Sequence, residues 1–140
     1  MKRIVTALAL LLAFAANAGV AVAQDGLVDL KGSWTGMSES IVAGNAPHHG
    51  SPKAEPVLSS VQFDLTITGQ DGRRFWGTVA SKTGEESIMG VIGLDGKMIV
   101  ARDKDGLIQG TIVDSDTIDL VYSHTGTSTV VSANRIKRQK

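Results

Sequence analysis

The chain has 140 residues, with 14 Lys and Arg against 14 Asp and Glu, 16 Gly, 3 Pro and no Cys. Zero net charge argues against nucleic-acid binding, which ordinarily shows a basic excess. The lack of Cys excludes disulfides, thiolate metal sites and a lipid-bearing N-terminal Cys. A hydrophobic share of 42% excludes a wholly disordered chain, and the length suits one domain.

The first element stands apart from any fold. Met1-Lys2-Arg3 is a short basic stretch, Ile4 to Ala16 is apolar except for Thr6, and two Ala-x-Ala patterns follow at Ala16-Asn17-Ala18 and Ala21-Val22-Ala23. That order predicts a signal peptide over 1–23, cut after Ala23 in preference to Ala18. A membrane anchor is the alternative, but the apolar run is shorter than the ~20 residues a span needs. The expected location is periplasmic or secreted, by bacterial export, with no integral membrane span after cleavage. Removing Lys2 and Arg3 leaves 12 basic residues against 14 acidic ones, a net charge of −2. Residues 24–31 read as a flexible mature N-terminus, and 32–140 as a single domain.

From Gly32 onward the pattern is that of strands. Val61-Gln62-Phe63-Asp64-Leu65-Thr66-Ile67-Thr68 alternates apolar and polar side chains, a period of two that only a strand has. Similar segments are expected at Gly32 to Val42, Arg74 to Ser81, Ser87 to Leu94, Lys97 to Arg102, Leu107 to Val113, Thr117 to Ser123 and Thr127 to Lys137. Turn residues separate them, Asp95-Gly96 being the clearest hairpin signal. Eight short strands with short connections predict an all-β fold, an eight-stranded up-and-down antiparallel barrel. Closure leaves no edge strand exposed, and eight strands enclose just enough room for side chains or one small ligand.

One connection breaks the rhythm. Residues 43–57 hold Pro47, Pro52 and Pro56 together with His48 and His49. A loop of that length is either functional or disordered, and both readings stay open.

Gly32-Ser33-Trp34 opens the first strand. In this it resembles the calycin barrels, the group of lipocalins and avidins, whose first strand starts with Gly-x-Trp. The resemblance implies that Trp34 packs against a basic residue from the last strand, and Arg135 is the candidate partner. A guanidinium over an indole face is worth about 1 kcal/mol or more when desolvated. The resemblance also implies a ligand at the barrel mouth, with the 43–57 loop in the place of a lid. Biotin is disfavoured, because only Trp34 and Trp76 are present and Tyr122 is the only aromatic residue after Trp76.

Other constellations hold residue types that chemistry uses. His48 and His49 need two further ligands to hold a metal, so Glu55 or His124 would have to join them. Asp103-Lys104-Asp105-Gly106 lacks the flanking ligands of a calcium loop, since Ala101 and Ile112 stand in those places. Ser123 and His124 with Asp119 have the residue types of a catalytic triad, but neighbours on a strand face opposite ways. Glu85-Glu86 falls in a turn, and no phosphate-binding glycine loop is present. No enzyme, metal or cofactor is expected. The tail from Arg135 to Lys140 carries four positive charges, as a solvated end or as a contact with an anionic surface.

Met89 to Leu94 and Met98 to Ala101 carry apolar residues on both faces, which implies a covered outer surface and a homo-oligomer. The sequence thus predicts an exported binding protein for a small apolar ligand, with Phe63, Trp76, His48, His49 and Tyr122 as contacts. The alternative is a protein-interaction, inhibitor or envelope-associated module that uses this outer apolar face.

Overall fold

The computed structural model describes residues 26–44, 53–126 and 128–140. Among these the chain forms nine strand segments: β1 (Gly32–Gly44), β2 (Lys53–Ser59), β3 (Gln62–Asp71), β4 (Arg74–Ser81), β5 (Gly84–Ile92), β6 (Met98–Arg102), β7 (Gly106–Asp114), β8 (Thr117–His124) and β9 (Ser128–Arg138). All eight strands expected from the sequence are present, with ends moved by at most three residues. The signal peptide expected over 1–23 lies outside the described residues.

Each strand pairs antiparallel with the next, from β3 to β9, and β1 joins both ends of the row by pairing with β3 and β9. The result is a closed eight-stranded antiparallel barrel. The ninth segment, β2, is an upward continuation of β3. Met37 pairs with Gln62 of β3, and Ser40 and Val42 pair with Ser59 and Val57 of β2. The kink between them is fixed by Ser38, whose backbone N–H donates to Val61 O and whose Oγ accepts from Val61 N–H at 3.1 Å. Of the 43–57 loop expected, residues 43–44 and 53–57 are strand, because β1 runs to Gly44 and β2 begins at Lys53, and the rest, with Pro47, His48, His49 and Pro52, lies outside the described residues. Pro56 is tolerated because β2 is an edge strand and the register with β1 slips there.

The turns follow simple chemistry. Gly72 and Gly96 take positive φ (59° and 72°) in the β3–β4 and β5–β6 connections. Asp95 Oδ1 accepts from the backbone N–H of Lys97 and Met98, which holds its carboxyl below the usual carboxylate range. Asp103 and Asp114 cap the β6–β7 and β7–β8 turns in the same manner.

One end of the barrel is plugged. Leu30, Trp34, Ile67, Phe75, Ile88, Ile92, Ile99, Ile112, Ile118 and Ile136 form one buried cluster. Leu27, Val28 and Leu30, in the segment 24–31 read from the sequence as a flexible mature N-terminus, join it. Leu30 is buried, Leu27 and Val28 pack against the cluster, and Leu30 N–H donates to Gln70 Oε1 at 2.7 Å. Three apolar side chains over four residues gain more by closing the barrel than by remaining in water.

Trp34 is fully buried and donates Nε1–H to Leu30 O at 2.9 Å. The cation on its ring is Arg138, at 4.1 Å from the ring centre, and not Arg135. Alternation explains the correction: Val130, Ser132 and Ile136 are buried on the inner face of β9, so Arg138 shares their side and Arg135 points outward. Arg135 instead holds Asp119 across the outer surface through two hydrogen bonds, 2.6 and 2.7 Å. The basic tail is strand as far as Arg138.

Candidate functional site

The interior above the plug is incompletely filled. The wall formed by β1 and β9 carries small inner side chains, with Ser38, Ser40, Ser128 and Ser132 all buried. On the facing strands, glycines make room for bulk. Phe75 lies where a Cβ on Gly90 would sit, Leu120 over Gly110, and Tyr122 over Gly106. Large residues on one side and serines on the other leave a cavity of about 110 Å³ inside the barrel. Its walls are mainly apolar, including Phe63, Leu65, Val79, Ala101, Ile108 and Leu120.

The cavity reaches the end of the barrel opposite the plug, where β5, β7 and β9 begin and β6 and β8 finish. Polar residues line it there: Glu86 at the start of β5, Asp103 and Asp105 in the β6–β7 turn, and Tyr122 and His124 at the end of β8. Tyr122 and His124 rings meet edge to face with centres 5.9 Å apart. The Tyr122 hydroxyl is 3.2 Å from His124 Nδ1, and His124 Nε2 is 2.8 Å from Ser128 Oγ. Burial pushes the Tyr122 hydroxyl well above the ordinary tyrosine range; the nearby charges of Asp103, Glu86 and Asp105 and a hydrogen bond with Asp103 push it further. Asn134 also lines the cavity, and its buried Oδ1 has no hydrogen-bond partner among the described residues.

The sequence-predicted contacts separate into three groups. Phe63 and Tyr122 both line this cavity. Trp76 does not: it is 48% exposed on the outer face, laid over Gly69. Its neighbour Phe75 takes the inward position on β4, so alternation sends Trp76 outside. His48 and His49 lie outside the described residues. Sequence reasoning missed Glu86, Asp103, Asp105, His124 and Asn134 as cavity residues. Glu86, Asp103, Asp105 and His124 read as ordinary turn or strand-end residues until closure brings β5 to β8 to one rim, and Asn134 reads as one polar residue in the middle of β9.

His124 carries a serine partner, but its geometry suits support more than attack. Ser128 is buried and does not line the cavity, and the group behind the imidazole is a phenol. A nucleophile needs an open path to substrate. Among the described residues no three His, Asp or Glu side chains are placed to hold a metal ion. No helix of the described chain is long and apolar enough to cross a membrane. In comparisons with known proteins, no family model, curated protein or solved structure matches this chain.

Proposed function

We propose that this is an exported, calycin-like binding protein that holds a small apolar or amphipathic ligand inside its barrel. The observation that carries the reading is the apolar cavity, plugged at one end and lined by polar groups at the other. Its size narrows the ligand. An apolar protein cavity of about 150 Å³ binds benzene, whereas drug-sized ligands occupy roughly 300–1,000 Å³. A volume of about 110 Å³ therefore suits one ring or a short alkyl chain, with any remainder at the mouth. The calycin-like assignment is supported by Gly32-Ser33-Trp34 at the start of β1 and by the stacking of Arg138 on Trp34. Export is supported by the order of basic, apolar and small residues in 1–23. Binding in place of catalysis is supported by the burial of Ser128 away from the cavity.

The test is calorimetric titration of the purified chain with benzyl alcohol, which matches the cavity in size. Saturable binding of one equivalent is the expected result; heats of dilution alone would remove the reading.

A second reading, self-association through the outer face of β4–β6, is favoured by the apolar residues exposed there. Trp76 pairs with Met89 and Val91 with Val100 across strands, while Met89 is 70% exposed and Leu94, beside them, 91%. Light scattering at micromolar concentration should then report a dimer or larger species that Met89→Glu dissociates. A monomer throughout would remove it.

A further inference from the structure

We propose that the cavity binds a neutral hydroxyl compound, a phenol or small alcohol, with its hydroxyl held by Asn134 near the closed end and its carbon body against the opposite wall. The inference rests on the cavity reading above and adds the polar group of the occupant and the direction in which it lies.

Asn134 is on the inward face of β9, between Ser132 and Ile136. Ile136 belongs to the plug, so Asn134 lies one inward position above the closed end. Its buried Oδ1 has no hydrogen-bond partner among the described residues. The neighbours across the sheet offer it none. Leu120, its partner on β8, is apolar. Ser38, its partner on β1, is engaged elsewhere: Ser38 Oγ accepts from Val61 N–H and from the Ser40 hydroxyl, both at 3.1 Å.

Native interiors pair nearly all such atoms, and an acceptor on the wall of an apolar cavity is satisfied by whatever occupies the cavity. A buried water usually makes about three hydrogen bonds. Around Asn134 the wall offers carbon from Ile136 and Leu120, with only Ser132 polar beside it on β9. A ligand that brings its own carbon suits that surrounding better than water does.

The amide selects the group. Its terminal torsion is soft, so either the carbonyl or the NH2 end can turn to the cavity. One hydroxyl complements both, as a donor to Oδ1 or an acceptor from Nδ2. A charged head would have to leave water for an apolar floor and is disfavoured there. Across the barrel from β9 stand β4, β5 and β6, which present Val79, Ile88 and Ala101 to the carbon body. The volume of about 110 Å³ admits one ring.

Phenol and toluene have nearly the same size and shape and differ in the hydroxyl, so calorimetric titration of each into the purified chain isolates that group. Water holds phenol more strongly than toluene, so apolar burial alone would favour toluene. The expected result is phenol binding at least as tightly as toluene, with a phenol-to-toluene affinity ratio that falls at least about ten-fold in Asn134→Leu. That variant exchanges an unpaired amide for an apolar side chain of similar size and should keep the parent's circular dichroism. Asn134→Ala gives the same comparison should the leucine variant fail to fold. Toluene binding more tightly than phenol to the parent chain would overturn this inference, giving Asn134 to water, and leave the cavity reading intact. A hydroxyl preference that survives the loss of the amide would also overturn it, moving the hydroxyl to Tyr122 and His124 at the mouth. Silence from both probes would overturn both readings.

Discussion

Two arginines three residues apart in β9 have opposite fates, and a period of two decides between them. Arg138 stacks on Trp34 and donates to the carbonyls of Asp29, Lys31 and Ser115 and to Asp116. It ties the lead-in, the β7–β8 turn and the first strand to the last. Its loss removes a cation–π contact and leaves several carbonyls without a donor. Arg138→Ala should therefore lower stability by about 2–4 kcal/mol in urea unfolding. Arg138→Lys should recover little of this, because an ammonium lacks the planar fork. Arg135 and Asp119 are both open to water, so Arg135→Ala should leave the midpoint nearly unchanged. Equal effects at the two positions would contradict the closure described here. The right arginine was legible in the sequence, since Val130, Ser132, Asn134 and Ile136 define a face and Arg138 continues it. Trp76 is a harder case. Phe75 and Trp76 are adjacent, and composition alone does not say which faces inward; the glycine at 69 that receives the indole is the discriminating signal.

At the scale of elements, alternation made the strands readable and its absence hid the plug. Val61 to Thr68 announces itself because every second residue is apolar. Leu27, Val28 and Leu30 have no period, and they sit between a signal-like segment and the first strand, where a flexible stretch is the default expectation. What betrays them is apolarity without a role. Leu30 is buried among Trp34 and the isoleucines of the closed end. Leu30→Ala should cost about 2–5 kcal/mol, an amount foreign to a flexible leader, and urea unfolding would measure it. A change below about 0.5 kcal/mol would return the segment to solvent. The rim acids were hidden for a different reason. Asp95, Asp103 and Asp114 all serve as turn caps, so their local sequence is explained before any role beyond the turn is needed. Only the pairing of β5 through β8 puts Asp103 and Asp105 on the same rim as Glu86 and Tyr122.

At the scale of the whole molecule, the cavity links stability to binding. Closed, dry apolar volume destabilises by about 24 cal/mol per Å³, so for a cavity of about 110 Å³ with an open mouth roughly 2–3 kcal/mol is an upper bound. With no cysteines, the chain has no disulfide to offset that loss. Binding compensates: a ligand present at a hundred times its Kd restores about 2.7 kcal/mol. The two explanations of the void, imperfect packing and a ligand site, separate when it is filled. Val79 borders the cavity and is only half-buried, so a larger side chain there has room to turn inward. Val79→Phe should raise stability by about 1 kcal/mol through added contacts, while abolishing calorimetric binding of benzyl alcohol. A stabilised variant that still binds the probe with the parent's affinity would move the ligand off the barrel interior and onto the apolar outer face of β4–β6. A variant that loses both stability and binding would show overpacking, and Ala101→Val, a smaller increment on the same cavity wall, then repeats the test.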